Sequence, residues 1–143
     1  MAERPGTTYE ILDHTADVMI RVFGDSRDAL FRHALQGLYA VLGTFQTRAG
    51  DEAYALSLAA PSCEDLLHDW LAEALFCAQT RCRLYRDTAF SRLTDTELRA
   101  DILLAAIDPE RTVYHQEIKA VTYHELRVKR EEDLWVASVV LDL

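Results

Sequence analysis

The chain has 143 residues, half of them hydrophobic and 27% charged, and its 24 acidic residues outnumber its 15 basic ones for a net charge of −9. Such a composition argues for a folded domain and against long disorder. No apolar stretch approaches the roughly 20 residues of a membrane-spanning helix, and the opening MAERPGTTYE has no apolar centre of the kind a secretory signal needs, so the expected location is the cytoplasm. Phosphates are held by several Lys or Arg contacts, so an acidic chain should not bind RNA or DNA tightly by itself. A role in nucleic-acid chemistry would need a partner that holds the nucleic acid.

The length fits a single domain over residues 1–143, with residues 1–8 read as a flexible N-terminus. YEILDHTADVMIRVFGDS reads as a short strand, a polar turn and a second strand from Val18 to Phe23, where Val18, Ile20 and Val22 alternate with Met19, Arg21 and Phe23. Gly24 and Asp25 turn the chain, and Ser26 or Asp25 is placed to cap a helix. Leu30, Ala34, Leu38, Val41 and Leu42 make one apolar stripe on that helix, and Gly43 is a natural stop because glycine enters the left-handed region without strain.

DEAYALSLAA alternates as a strand, and Ser62 and Asp65 then have capping-box spacing. The helix they open places Leu66, Leu67, Trp70, Leu71, Ala74, Leu75 and Ala78 on one side, with Glu64, Asp65, His68, Asp69 and Glu73 over much of the rest. Arg81, Arg83 and Arg86 form the one dense basic cluster and read as a solvated helix end. From Tyr85 the period becomes two. Leu98, Ala100, Ile102, Leu104 and Ala106 alternate strictly, DPERTVYHQ reads as a loop, and EIKAVTYHELRVKR with LWVASVVLDL reads as a hairpin around EED. The expected class is α+β, with two amphipathic helices packed on a largely antiparallel or mixed sheet of about six to seven strands.

Cys63, Cys77 and Cys82 form no CxxC pair and no even framework, which fits reduced thiols. The five histidines lack zinc-ligand spacing, and there is no EF-hand loop or glycine-rich phosphate loop. No serine or cysteine has an evident His/Asp arrangement about it, so no catalytic residue is assigned.

Two places carry unusual chemistry. Asp13, His14 and Asp17 crowd one short turn. Aspartates serve turns by bonding their own backbone, but oxygens so close together also suit a hard cation such as Ca²⁺ or Mg²⁺. At the other end, Asp142 falls on an otherwise largely apolar strand face, one residue from the terminal carboxylate. If that strand end is ordered, the two negative groups repel, and a bound cation is a common remedy. A third carboxylate from the N-terminal turn would complete an oxygen site. Lys119 interrupts the late strand and is either a solvated edge residue or a charge aimed at that site.

Four ordered segments, ILDHTADVMIRVFGDS, EDLLHDWLAEALF, EIKAVTYHEL and VVLDL, together resemble the archease family, small acidic proteins that assist the RtcB-type tRNA-splicing RNA ligase. The resemblance runs from about Tyr9 to Leu143. It implies that Asp17 and Asp142 are metal ligands, that Leu143 adds a backbone or terminal oxygen, and that Lys119 is needed for activity. Asp13 and His14 belong to the signature without a definite role. The implied metal is Ca²⁺, with Mg²⁺ or Mn²⁺ also suited to oxygen ligands. The implied function is a non-catalytic activator that promotes guanylylation of the ligase by GTP and multiple turnover in tRNA splicing or RNA repair. A chaperone or modulator of RNA-processing proteins is the alternative, and a metal-dependent hydrolase ranks last. Met19 stands where members of the family often have glycine, and AAIDPERTVYHQ is only loosely like the corresponding stretch.

Overall fold

The alternation around Ile20 becomes an eight-residue strand in the computed structural model, which describes residues 7–13 and 16–143 and, of Asp13, the main chain alone. His14 and most of the expected flexible N-terminus lie outside the described residues. β1 (Tyr9–Asp13) pairs antiparallel with β2 (Asp17–Gly24), which buries Val18, Ile20 and Val22 on one face. Ser26 caps α1 (Arg27–Leu42), its Oγ accepting the Ala29 N–H at 3.0 Å and so satisfying one of the orphan donors of the first turn.

The predicted stripe of α1 is buried, joined by Phe31 and Leu35. Gly43 does end this helix, but for a different reason from the expected one. Its φ of 172° is extended backbone. Glycine is required there because β3 (Gly43–Thr44) runs against Val113–Tyr114, and a Cβ would meet the Val113 carbonyl oxygen at 2.6 Å.

β4 (Thr47–Ala59) leads to α2 (Cys63–Thr80), which Ser62 caps through the Asp65 N–H at 3.1 Å. β5 (Arg83–Leu93) and β6 (Glu97–Ile107) complete an antiparallel sheet in the order β4-β6-β5. Leu56, Leu98, Ala100, Ile102 and Leu104 are buried in this sheet. Trp70 of α2 is fully buried, its indole N–H donates to the Phe31 carbonyl at 2.9 Å, and its ring meets those of Phe31, Tyr85 and Phe90. One side chain thus ties both helices to β5, and truncating it to alanine would cost about 3–5 kcal/mol.

β7 (Val113–Tyr114), β8 (Ala120–Val121), β9 (Arg127–Glu131) and β10 (Leu134–Asp142) follow. β10 pairs antiparallel with β2, and its other edge takes β9 near its start and β8 near its end. α1 packs on β2, β1 and β10, while α2 packs on β5, β4 and β6 and also reaches β8 and β9. The buried side chains from the two larger sheets and both helices form one apolar cluster.

The class is α+β as expected, but among the described residues ten strands in three sheets replace the six or seven of the sequence reading. DPERTVYHQ contains the short β7. The predicted long strand through EIKAVTYHELRVKR is divided into β8 and β9 by a turn in which Glu125 takes a left-handed φ of 51°. Arg83 and Arg86 are on β5, not a helix end, and face Glu52 and Asp51 across the sheet. Among the described residues, no helix is long and apolar enough to cross a membrane.

Candidate functional site

The free choice in an antiparallel pair is its register, and here the register joins the two ends of the chain. Asp142 of β10 sits directly opposite Asp17 of β2, with Leu141 opposite Val18. The next main-chain bond runs from the Leu143 N–H to the Ala16 carbonyl at 3.3 Å. That bond makes Asp17 and Asp142 a non-hydrogen-bonded pair, the kind in which Cα atoms approach to about 4.5 Å and the side chains are closest.

Val18 and Leu141 are buried beneath the helices, so the period of two turns Asp17 and Asp142 together onto the outer face of the sheet. Asp142 is exposed and Asp17 half-buried. Among the described residues neither carboxylate has a Lys, Arg or His in ion-pair contact.

Lys119 arrives from the other side. Its main-chain N–H donates to the Asp142 carbonyl at 2.7 Å, and Ala120 is the register partner of Asp142 on β8. Lys119 is exposed, and its ammonium makes no ion pair within the described residues. The structure therefore gathers Asp17, Asp142, Leu143 and Lys119 at one end of the sheet. Asp13 pairs with Val18 one register position away, while the His14 expectation falls outside the described residues.

What holds Lys119 in place is a clamp that sequence reasoning missed. Ile118 is fully buried, and its main chain is bonded at both poles by the Gln79 amide, N–H to Oε1 at 3.0 Å and Nε2 to carbonyl at 2.9 Å. Further along, His68 Nε2 contacts the Val121 carbonyl and Nδ1 contacts Asp69, each at 2.9 Å, and the imidazole stacks on Tyr123 at 3.9 Å and 16°. Both ring nitrogens of His68 are thus engaged. Gln79 lies three helical turns beyond it on α2, so one polar row of the helix grips both ends of the segment carrying Lys119. That spacing was the one available signal, and it is indistinct among the other polar residues of α2.

The site also has a direction. The Leu42 carbonyl at the end of α1 accepts N–H bonds from His115 and Gln116 at 2.8 and 3.3 Å, and the last turn of α2 holds Ile118. Both helices point their C-terminal, negative poles at the stretch that runs on to Lys119 and Asp142. Two facing carboxylates of like charge favour a cation. The donors are hard oxygens, as Ca²⁺ or Mg²⁺ prefers. Among the described residues no group of three or more His, Cys, Asp or Glu side chains is arranged for a metal, so the two aspartates would need a main-chain or terminal oxygen such as that of Leu143 to make a third ligand.

Cys63 and Cys77 are buried, and burial pushes both thiols up, against a smaller opposing pull from Arg27 on Cys63 and from Arg81 on Cys77. Cys82 is exposed.

Residues 9–143 match the model of the Archease protein family (MTH1598/TM1083). The chain is 32% identical to protein archease of Methanosarcina barkeri, over 96% of this chain and 97% of the relative. It is 33% identical to protein archease of Methanopyrus kandleri, over 94% and 99%. The solution structure of Methanobacterium thermoautotrophicum protein 1598 superposes with a TM-score of 0.70 at 25% identity, covering 94% of this chain and 98% of that one. The crystal structure of a Thermotoga maritima protein described as an archease and possible chaperone superposes at 0.71 and 21% identity, over 92% and 94%, a likeness of fold.

Proposed function

Since the chain belongs to the archease family, we propose that it is a non-catalytic activator of an RtcB-type tRNA-splicing RNA ligase, promoting guanylylation of that ligase by GTP and its repeated turnover. The observation that carries this reading is the direct opposition of Asp17 and Asp142, with Lys119 hydrogen-bonded to Asp142 through its main chain. At the end of a sheet, with Asp142 and Lys119 exposed and Asp17 half-buried, these groups can enter a cleft of another protein. A pair of carboxylates with no nucleophile beside it among the described residues is a poor catalyst but a good organiser of charge.

Asp17, Asp142 and an oxygen of Leu143 would hold a divalent cation, Ca²⁺ above all, which when bound supplies the positive charge that two facing carboxylates and a nucleotide phosphate both require. The chain's own residues account for the rest. The pairing of β2 with β10 fixes the two aspartates on one face. Gln79 and His68 hold the Lys119 segment against α2. That leaves the Lys119 ammonium free to meet phosphate or a partner carboxylate at a set position, which serves transfer chemistry by placement alone. The net charge of −9 fits a division of labour in which the ligase binds the RNA and both proteins meet in the cytoplasm.

The test is guanylylation of an RtcB-type ligase by labelled GTP, and multiple-turnover joining of RNA ends, with and without this protein. The native chain should raise both, and Asp17→Ala, Asp142→Ala and Lys119→Ala should each abolish most of the gain. Wild-type stimulation by the double aspartate variant would defeat the reading. Absent stimulation together with protection of unrelated clients from aggregation would favour the chaperone role.

A further inference from the structure

α1 and α2 both end at an open groove of about 510 Å³, whose lining includes Leu42, Phe45, Ala78, Tyr114, His115 and Glu117. The volume suits a side chain or small ligand rather than a bare ion. Phe45 and Tyr114 stand edge to face at 5.9 Å and 88°, and Tyr114 is 58% exposed, so aromatic surface is left without a partner. Glu117 is exposed, and no Lys or Arg belongs to the lining.

The nearby guanidinium groups are engaged elsewhere. Arg81 lies over Phe76, while Arg83 donates to the Arg81 and Cys82 carbonyls and faces Glu52. The negative poles of both helices add to the charge of Glu117. An apolar floor, aromatic walls and net negative charge together select a flat cation on an aliphatic stem, which is an arginine side chain.

We infer that this groove is a docking pocket for an arginine side chain of a protein partner. The guanidinium stacks on Tyr114 or Phe45 and forms charge-assisted bonds with Glu117, and its stem lies on Leu42 and Ala78. The stretch from His115 through Glu117 leads straight to Lys119 and the Asp142 carbonyl, so a partner anchored here is brought to the acidic end as well. That the partner is the ligase rests on the activator reading; the chemistry of the groove does not.

The test uses the full chain, isotope-labelled, and a probe tripeptide, acetyl-Gly-Arg-Gly-amide, followed by amide shifts. Saturable shifts should concentrate on Phe45, Tyr114, Gln116 and Glu117, and the isosteric citrulline peptide should not reproduce them. Tyr114→Ala and Glu117→Gln, both at exposed positions, should each weaken binding about 3- to 10-fold, with the rest of the spectrum unchanged as proof of folding. Asp17→Asn with Asp142→Asn should leave probe binding intact. Equal binding of citrulline, shifts spread over acidic residues of the whole surface, or no saturable shift would overturn the inference. In the ligase assay, Glu117→Arg should raise the amount of this protein needed for half-maximal stimulation. Probe binding without ligase stimulation would keep the groove and sink the activator role; stimulation without probe binding would do the reverse.

Discussion

Replacing Asp142 with asparagine removes one charge from the two-ended site and little else, because the main-chain carbonyl that accepts from Lys119 is kept. Asp142 and Asp17 face each other in a non-hydrogen-bonded pair on the outer face of the sheet. Like charges so placed cost about 0.2–1 kcal/mol. A Coulomb estimate for carboxylates about 5 Å apart in water-like surroundings gives about 0.8 kcal/mol, and the exposure of Asp142 favours the lower half of the range. In chelator the variant should therefore be more stable than the native chain, by about 1–3 °C in Tm for a protein of this size. A cation at 100 times its Kd would stabilise the native chain by about 2.7 kcal/mol, or about 5–10 °C. The order of the two proteins should invert between chelator and millimolar Ca²⁺, which calorimetry or dye-monitored melting reads directly. A variant less stable than the native chain in chelator would refute the repulsion. A native Tm indifferent to Ca²⁺, Mg²⁺ and Mn²⁺ would refute the cation site.

Three further outcomes are expected. Gly24→Ala places a Cβ 2.6 Å from the Leu30 nitrogen and 3.0 Å from the Ala29 carbonyl carbon, both backbone of the first turn of α1; the loss should be about 1–3 kcal/mol, seen as a lower urea midpoint at unchanged slope. Alkylation of the native protein, mapped by peptide mass, should modify exposed Cys82 first, with Cys63 and Cys77 reacting only on unfolding, since burial hides both and holds their thiols protonated. At high pH, burial and the Glu73 carboxylate that accepts its hydroxyl push Tyr54 up to about 12, and burial raises Tyr39 and Tyr85 as well. A folded pKa above the unfolded value of about 10 means stability is full below that pH and lost as pH rises through the folded values, so the late part of the phenolate absorbance change should coincide with unfolding.

Much of this protein can be read from local pattern. The stripe of Leu30, Ala34 and Leu38 and that of Leu66, Trp70 and Leu71 specify two helices and their buried sides, and Ser26 and Ser62 mark their starts, because a helix period and a capping hydroxyl act within a few residues. The same holds for β2 and β6, whose alternation names the face that is buried. Asp142 and Lys119 are conspicuous in the sequence as charges interrupting strands, and Asp17 as one of two aspartates crowding a short turn. Other features depend on residues remote in the chain. That Asp142 stands opposite Asp17 is a matter of register between the first and last parts of the chain, fixed by burying Val18 and Leu141 on the same side. Gly43 looks like a helix stop but is needed for its contact with Val113, and the late strand is divided by the turn in which Glu125 is left-handed, while Gln79 and His68 of α2 bond the main chain of Ile118 and Val121 ahead of it. Sequence determined which residues would be inside and which charges were out of place; tertiary structure alone decided which of them meet, since pairing across a sheet and a helix's grip on a strand are free-energy gains that exist only once distant segments have been brought together.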